Sequence, residues 1–458
     1  MKIKQFEYKP LSHFSYAIIS DGKMALVDPE RDPTQYYKYA EENDAQIVAV
    51  FETHPHADFV SSHLQIHQET GATLYCSEKT GADYPHKTFD DGDEVLIGNT
   101  TFRALNTPGH SPDSITIIAT EAEKTALFTG DTLFVGDVGR PDLREKVGNI
   151  TAKREELAKM MFDTIQNKFK DLSDNAYVYP AHGAGSLCGK GMSDDASSST
   201  LGNERIGNWA FKNQTEEQFV TFLLESQPFV PHYFGYNVDT NKAGAINLRN
   251  SLGGVPFKVN VTEPANGALI IDCREGDAFK KNHLVGSINI MATCENDKFE
   301  TWLGSIVRPY ENFNLVVDSI EDAEEILHRV SKIGYESQVA AVYTIADAVL
   351  ETSENFNLQD FRENPDNYTI VDIRNESEVL EGKIFENSIN IPLYELRENA
   401  KKVPTDKPVI VHCAGGYRST AGACILENEL RIKNVFDLSE AVEEFKDFAG
   451  CGVVSTKF

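Results

Sequence analysis

Short apolar runs alternate with stretches of helical spacing through the first two hundred residues of the chain. Residues 24–27, 45–51, 72–76, 101–105, 114–119, 125–128 and 176–179 are brief and apolar, as buried strands should be. Residues 61–68, 150–169 and 217–225 carry their apolar positions at helical spacing and predict helices. This alternation predicts an α/β sandwich, with its site along one edge. Pro228, Pro231 and the stretch 237–244 then break the pattern and read as a domain edge and linker.

The second half repeats itself at a domain-sized period. The run 268–274 ends in Asp272-Cys273-Arg274 and the run 368–374 in Asp372-Ile373-Arg374, while Ser287-Ile288-Asn289-Ile290 returns as Ser388-Ile389-Asn390-Ile391. Two copies of one α/β unit are the economical explanation. The copies differ where chemistry would sit. In the second, the run 409–412 leads into Cys413-Ala414-Gly415-Gly416-Tyr417-Arg418 and then a helix of small residues; the first offers Asp318 or Ser319 at that place and has no thiol there. Successive backbone N–H groups at a helix start can point at one sulfur and stabilise an anion, and Arg418 adds a fixed positive charge.

A second cluster of chemistry follows the run 45–51. His54, His56 and Asp58 put three ligand-type side chains into five residues. Alternate spacing lets His54 and His56 point the same way, and imidazole suits zinc, iron, nickel or copper. His110, Asp131 and His182 each stand just past another strand-like run, in the turns Thr107-Pro108-Gly109-His110, Gly130-Asp131-Thr132 and Pro180-Ala181-His182-Gly183. Side chains projecting from the ends of neighbouring strands can converge on one ion from rigid supports. The glycine-rich stretch after His182 and the Ser/Asp-rich run to Thr200 read as a mobile loop. That loop carries Cys188, a residue suited to redox chemistry at the pocket mouth.

The series His54, His56, Asp58, His110, Asp131, His182 resembles the metallo-β-lactamase fold over roughly the first half of the chain. Hydrolases of that family usually carry His-x-His-x-Asp-His, and here Phe59 holds the last place. A phenyl ring cannot ligate a metal, so the second ion of a binuclear hydrolase loses a ligand. Among the branches of the fold the pattern is similar to the persulfide dioxygenases, which hold a single Fe(II). That resemblance implies His54, His110 and Asp131 as the ligands, with His56, Asp58 and His182 as supporting residues or further ligands, and Arg140 at the carboxylate of the substrate. Two histidines and one carboxylate leave open positions for dioxygen and a substrate sulfur. The second half resembles the rhodanese sulfurtransferases, which implies Cys413 as the sulfur carrier, Arg418 beside it and Ala414, Gly415, Gly416 and Tyr417 as its loop. Rhodanese-like phosphatases place the arginine six residues after the cysteine, where this chain has Ser419, so sulfur transfer is favoured.

Composition narrows this further. With 458 residues the chain accommodates several domains, expected at 1–240 (metallo-β-lactamase αββα sandwich), 255–345 (rhodanese-like without the thiol) and 346–458 (active rhodanese). A net charge of −28 disfavours nucleic acid or an anionic membrane as partner. Neither a signal-peptide core nor a membrane-length apolar run is present, so a cytoplasmic location is expected. Seven scattered cysteines without a Cys-x-x-Cys pair speak against a disulfide scaffold or a structural zinc site. The expected function is oxidation of a low-molecular-weight thiol persulfide by O2 to sulfite at one Fe(II) per chain, coupled to transfer of sulfur between sulfite, thiosulfate and thiols through Cys413. A homo-oligomer is expected. The alternatives are a mononuclear zinc thioester hydrolase of the glyoxalase II type with a regulatory rhodanese module, and a sulfur carrier in which Cys413 and Cys188 react without turnover.

Overall fold

The computed structural model describes residues 1–141, 143, 154–190, 196–225, 227–264, 267–346, 350–353 and 356–446. The chain divides into two compact units, Met1–Gly253 with Val330–Glu336, and Gly254–Arg329 with Ser337–Phe458. The first unit holds two six-stranded sheets. One runs in chain order through β1 (Lys2–Tyr8), β2 (His13–Ser20), β3 (Lys23–Val27), β4 (Gln46–Phe51), β5 (Thr73–Cys76) and β6 (Lys87–Thr88). The other contains β7 (Glu94–Ile97), β8 (Thr100–Asn106), β9 (Ile115–Glu121), β10 (Lys124–Gly130), β11 (Tyr177–Pro180) and β12 (Ser199–Thr200), again as consecutive neighbours.

Alternation along the strands explains the layers. In β4, Ala49 and Phe51 point between the sheets and join Phe14, Tyr16, Tyr75, Phe102, Ile117 and Phe128. Val50 points outward, as does Ile47 on the far side of a register shift between it and Ala49, and both are covered by Tyr36 and Ile66 of the helices Thr34–Glu42 and His63–Thr70. A strand buried on both faces reads as a continuous apolar run, which is what residues 47–51 show. The helices Arg154–Asp163 and Glu216–Leu224 cover the other sheet with Leu157, Met161, Phe219 and Leu223. Each fully buried Phe or Leu contributes about 1.5–3 kcal/mol, and the result is the expected αββα sandwich.

Two expectations need correction. The stretch 237–244, read as a linker, lies mostly within the helix Tyr233–Ala243, which buries Tyr233, Phe234, Asn237, Val238, Asn241 and Lys242. Its buried side includes amides and a lysine, so hydropathy periodicity does not reveal it. The glycine-rich stretch after His182 is pinned as far as it is described: Gly183 N–H donates to Ser12 O, Cys188 O accepts from Arg140 N–H, and Lys190 N–H donates to Asp137. Residues 150–153 of the predicted helix, and 191 and 193–195 of the predicted loop, lie outside the described residues.

The second unit contains two parallel sheets. The first comprises β13 (Phe257–Val261), β14 (Leu269–Asp272), β15 (Ser287–Asn289), β16 (Phe313–Val316) and β17 (Val339–Ile345), ordered β13-β17-β16-β14-β15. The other comprises β18 (Thr369–Asp372), β19 (Ile389–Asn390), β20 (Val409–His412) and β21 (Val435–Asp437), ordered β19-β18-β20-β21. Without β13 the two orders coincide, so the sequence repeat is a repeat of fold. The shared Asp-x-Arg motif explains itself here. Arg274 clamps Asp272, Arg374 clamps Asp372, and Asn289 and Asn390 each hold the carbonyls on either side of the clamp in their own copy. Among the described residues six cysteines are free, Cys294 exposed and Cys76, Cys188, Cys273, Cys413 and Cys424 buried; Cys451 lies outside them. No helix among the described residues is long and apolar enough to cross a membrane.

Candidate functional site

Strand ends deliver three donors to one place. His54 stands just past β4, Asp131 directly after β10, and His110 in the turn between β8 and β9. His54 Nε2 lies 3.8 Å and His110 Nε2 3.6 Å from Asp131 Oδ2. Each ring is oriented through its other nitrogen. His110 Nδ1 is 2.9 Å from the Arg140 carbonyl, which only accepts, so that nitrogen carries the proton. His54 Nδ1 is 3.0 Å from Thr53 Oγ1, whose own proton goes to Asp28 Oδ2 at 2.8 Å, so Thr53 accepts from His54. Both Nε2 lone pairs are thereby left on the side of Asp131.

Asp131 divides its two oxygens between two tasks. Oδ1 accepts from His182 Nδ1 at 2.7 Å, whereas Oδ2 is buried without a hydrogen-bond partner among the described residues. A buried acceptor left unmatched costs about 1–3 kcal/mol or more when charged. Burial pushes the Asp131 carboxyl up, yet His182, His110 and His54 outweigh it and hold it well below the usual carboxylate range. Two imidazole lone pairs and an orphaned carboxylate oxygen are the donor set of a divalent cation, so a metal fits these residues and satisfies the orphan.

The remaining predicted residues surround this trio without joining it. His182 donates from Nδ1 to Asp131 and from Nε2 to Asp58 Oδ2, both at 2.7 Å. Burial pulls its pKa down, but the Asp131 and Asp58 carboxylates outweigh it and hold it well above the ordinary value. Cys188 lies against Asp58 and His182, with their ligand atoms within 4.8 Å of one another. Burial first, then the Asp131 and Asp58 charges, push its thiol up. His56 turns toward a different pair, with Nε2 3.1 Å from Asp28 Oδ1 and 3.7 Å from Glu52 Oε2. Arg140 is buried, gives Nη1 to the Leu187 and Phe229 carbonyls at 3.2 and 3.4 Å, and serves His110 through its own carbonyl.

Sequence reasoning missed several partners. His13 at the start of β2 pairs with His182 through a single antiparallel bridge and stacks on Phe59, ring centres 3.8 Å apart. Asp28 takes a left-handed φ of 50° and aims its carboxylate at Thr53 and His56. Asn241 donates to the His56 and Phe59 carbonyls and accepts from Ser61 N–H, each at 2.8 Å. Only Asp28-Pro29, a turn pair closing a strand, left any trace in the sequence.

The sulfur loop is built in the second unit. Cys413 follows β20 directly and is buried, and Gly416 N–H donates to its Sγ at 3.1 Å. The helix Ser419–Leu430 starts right after Arg418, so its positive end faces the loop. Ala414 is half-buried and Gly415 exposed, while the Tyr417 hydroxyl donates to the Met291 carbonyl at 3.0 Å. Arg418 makes two hydrogen bonds to Glu378, at 2.6 and 2.7 Å, and lies over the Trp302 ring. Glu378 was missed because it reads as an ordinary first-turn glutamate of the helix Glu376–Glu381. In the first repeat, β16 runs instead into Ser319, which caps the helix Ile320–Lys332 by exchanging hydrogen bonds with Asp322.

Comparison with known proteins identifies the two parts of the chain. Residues 8–182 match the metallo-beta-lactamase superfamily and residues 357–448 the rhodanese-like domain. A solved metallo-beta-lactamase from Staphylococcus aureus subsp. aureus COL is 33% identical, with 75% of this chain and 99% of that one covered and a TM-score of 0.67. The crystal structure of ETHE1 from Myxococcus xanthus is 25% identical, covers 53% of this chain and 99% of its own, and gives a TM-score of 0.46. A hydroxyacylglutathione hydrolase of Haemophilus influenzae is 26% identical over 187 residues, which are 36% of this chain and 82% of that protein. The chain belongs to the metallo-beta-lactamase superfamily through its amino-terminal unit, and carries a rhodanese-like domain behind it.

Proposed function

We propose that the chain is an Fe(II)-dependent persulfide dioxygenase joined to a sulfurtransferase. The first reaction is RSSH + O2 + H2O → RSH + sulfite + 2 H⁺. The observation that carries this reading is the single face of donors, two Nε2 atoms and one orphaned Asp131 oxygen, with His56 drawn off to Asp28 and Glu52. A ferrous ion held by His54, His110 and Asp131 would supply open positions for dioxygen and a terminal sulfur. The chain's own groups do the rest. His182 fixes Asp131, Thr53 and the Arg140 carbonyl fix the two imidazoles, and the Arg140 guanidinium, held by the Leu187 and Phe229 carbonyls, would be the positive charge for an anionic thiol. In the second reaction Cys413 attacks the outer sulfur of a donor, keeps it as Cys413–S–S⁻ and releases the donor thiolate. Sulfite then takes that sulfur as thiosulfate and Cys413 leaves as thiolate, with Gly416 N–H pointing at its Sγ.

The second reading, a zinc thioester hydrolase of the glyoxalase II type, is favoured by the hydroxyacylglutathione hydrolase among the relatives. Oxygen uptake and sulfite formation with glutathione persulfide separate the two, on protein purified without oxygen and analysed for metal. We expect iron and turnover in the parent, and a loss of at least about 100-fold in both His110→Ala and Asp131→Ala. Oxygen uptake that survives these substitutions overturns the dioxygenase reading; zinc with thioesterase activity and no oxygen uptake decides for the hydrolase.

A further inference from the structure

Residues 330–336 stand between β16 and β17 in the chain, yet they cluster with the unit that carries the histidines. The Lys332 carbonyl accepts the Val60 N–H at 2.7 Å, one residue beyond Phe59. Lys332 Nζ pairs with Glu30 and lies 4.5 Å from the centre of the Tyr8 ring, with only 7% of its side chain exposed. Gly334 has φ +71°, and a Cβ there would meet Val60 Cγ2 at 2.9 Å and Tyr236 Cε1 at 3.1 Å. Its carbonyl accepts the Tyr236 hydroxyl at 3.0 Å. Glu336 Oε1 accepts from Arg31 Nη2 at 2.7 Å and Nε at 3.3 Å, and Arg31 Nη2 also reaches the Ile246 carbonyl at 2.7 Å.

These contacts fall on the two loops that shape the donor set. Val60 belongs to the loop of His56 and Phe59. Glu30 and Arg31 belong to the turn of Asp28, whose carboxylate holds Thr53 and, through it, the proton on His54 Nδ1. Irregular backbone has no ladder to satisfy its N–H groups, so each needs a tertiary partner. Ligands must also be held within about 0.5 Å of their working positions. Buried ion pairs such as Arg31–Glu336 contribute little net stability, but they select one arrangement, because a slipped register strands a charge.

We infer that residues 330–336 are a strap that positions the metal-binding loops, with Lys332, Gly334 and Glu336 as positioning residues that touch neither metal nor substrate. The strap comes from the repeat whose counterpart of the sulfur loop has no thiol, and it gives that repeat a task. Residues 1–253 alone lack it. The inference rests on reading His54, His110 and Asp131 as a metal centre, and it holds whichever metal or reaction occupies that centre.

The test uses full-length Gly334→Val and Lys332→Met. Three quantities are read: Fe(II) affinity by anaerobic chelator competition, amide hydrogen exchange over residues 55–64, and thiosulfate:cyanide sulfur transfer by Cys413. We expect sulfur transfer within about twofold of the parent, faster exchange over 55–64, and iron affinity lowered by about 10–100-fold. Glu30→Gln added to Lys332→Met should recover part of the affinity by removing the stranded carboxylate. Parental iron affinity and parental exchange in both variants overturn the inference. Should Gly334→Val also lose sulfur transfer, Lys332→Met decides alone. A parent that binds iron in this strap-dependent way but consumes no oxygen with persulfide would sink the dioxygenase reading and leave the strap standing.

Discussion

The Phe59 ring centre lies 3.8 Å from that of His13 and 4.3 Å from that of His56, so a phenyl is packed between two imidazoles. A histidine in its place would set three imidazoles side by side. Burial lowers the His13 pKa, with His182 adding to the effect; burial also lowers that of His56, but Asp28 outweighs it and the net shift is upward. Phe59 thus separates His13 from a histidine that faces Asp28 and Glu52. Phe59→His is expected to raise the metal bound per chain from one toward two, by elemental analysis after loading with excess Zn(II) and desalting. A ratio that stays at one shows that the phenyl is not what limits the site. His-x-His-x-Asp-Phe was legible from sequence because it is contiguous; His13, forty-six positions before Phe59, was not.

At the scale of elements, the site depends on turns that let strand ends approach one another. Gly139 is the tightest of these. A Cβ on it would stand 1.9 Å from the Asp131 carbonyl oxygen and 3.0 Å from His110 Nδ1, so any side chain must push two donors apart. Gly139→Ala is therefore expected to lower metal affinity and oxygen uptake by at least about tenfold, while the melting transition of the second unit keeps its midpoint. Metal affinity at the parental level would show that the Asp131 and His110 turns yield without cost. The helix Tyr233–Ala243 works from the opposite side, since Asn241 ties together the backbone of His56, Phe59 and Ser61. Its polar buried positions are why it escaped a reading based on apolar spacing.

For the whole molecule, two chemistries are assigned to two units with separate cores. Each chemistry should survive removal of the other's catalytic side chain. Cys413→Ser is expected to abolish thiosulfate:cyanide transfer by at least about 1,000-fold, as for removal of a covalent nucleophile, and to leave persulfide-dependent oxygen uptake within about twofold. His110→Ala should do the reverse. Oxygen uptake that falls in step with sulfur transfer in Cys413→Ser would mean that the thiol takes part in both reactions. The fusion then has to be understood as one catalyst rather than two.

The sequence by itself determined the sandwich, the repeated α/β unit, the donors at the strand ends and the thiol before its glycine turn. Each of these is written in neighbouring residues, as strand alternation, as turn chemistry, or as ligand types just past an apolar run. Only the tertiary structure decided which nitrogen of each histidine faces Asp131, that both ring nitrogens of His182 face carboxylates, that Arg418 is paired with Glu378, and that residues 330–336 pack against the histidine loops. Those facts depend on buried polar groups finding partners up to 305 positions away, as Arg31 finds Glu336, and desolvation, which sets their charge and orientation, has no local signature.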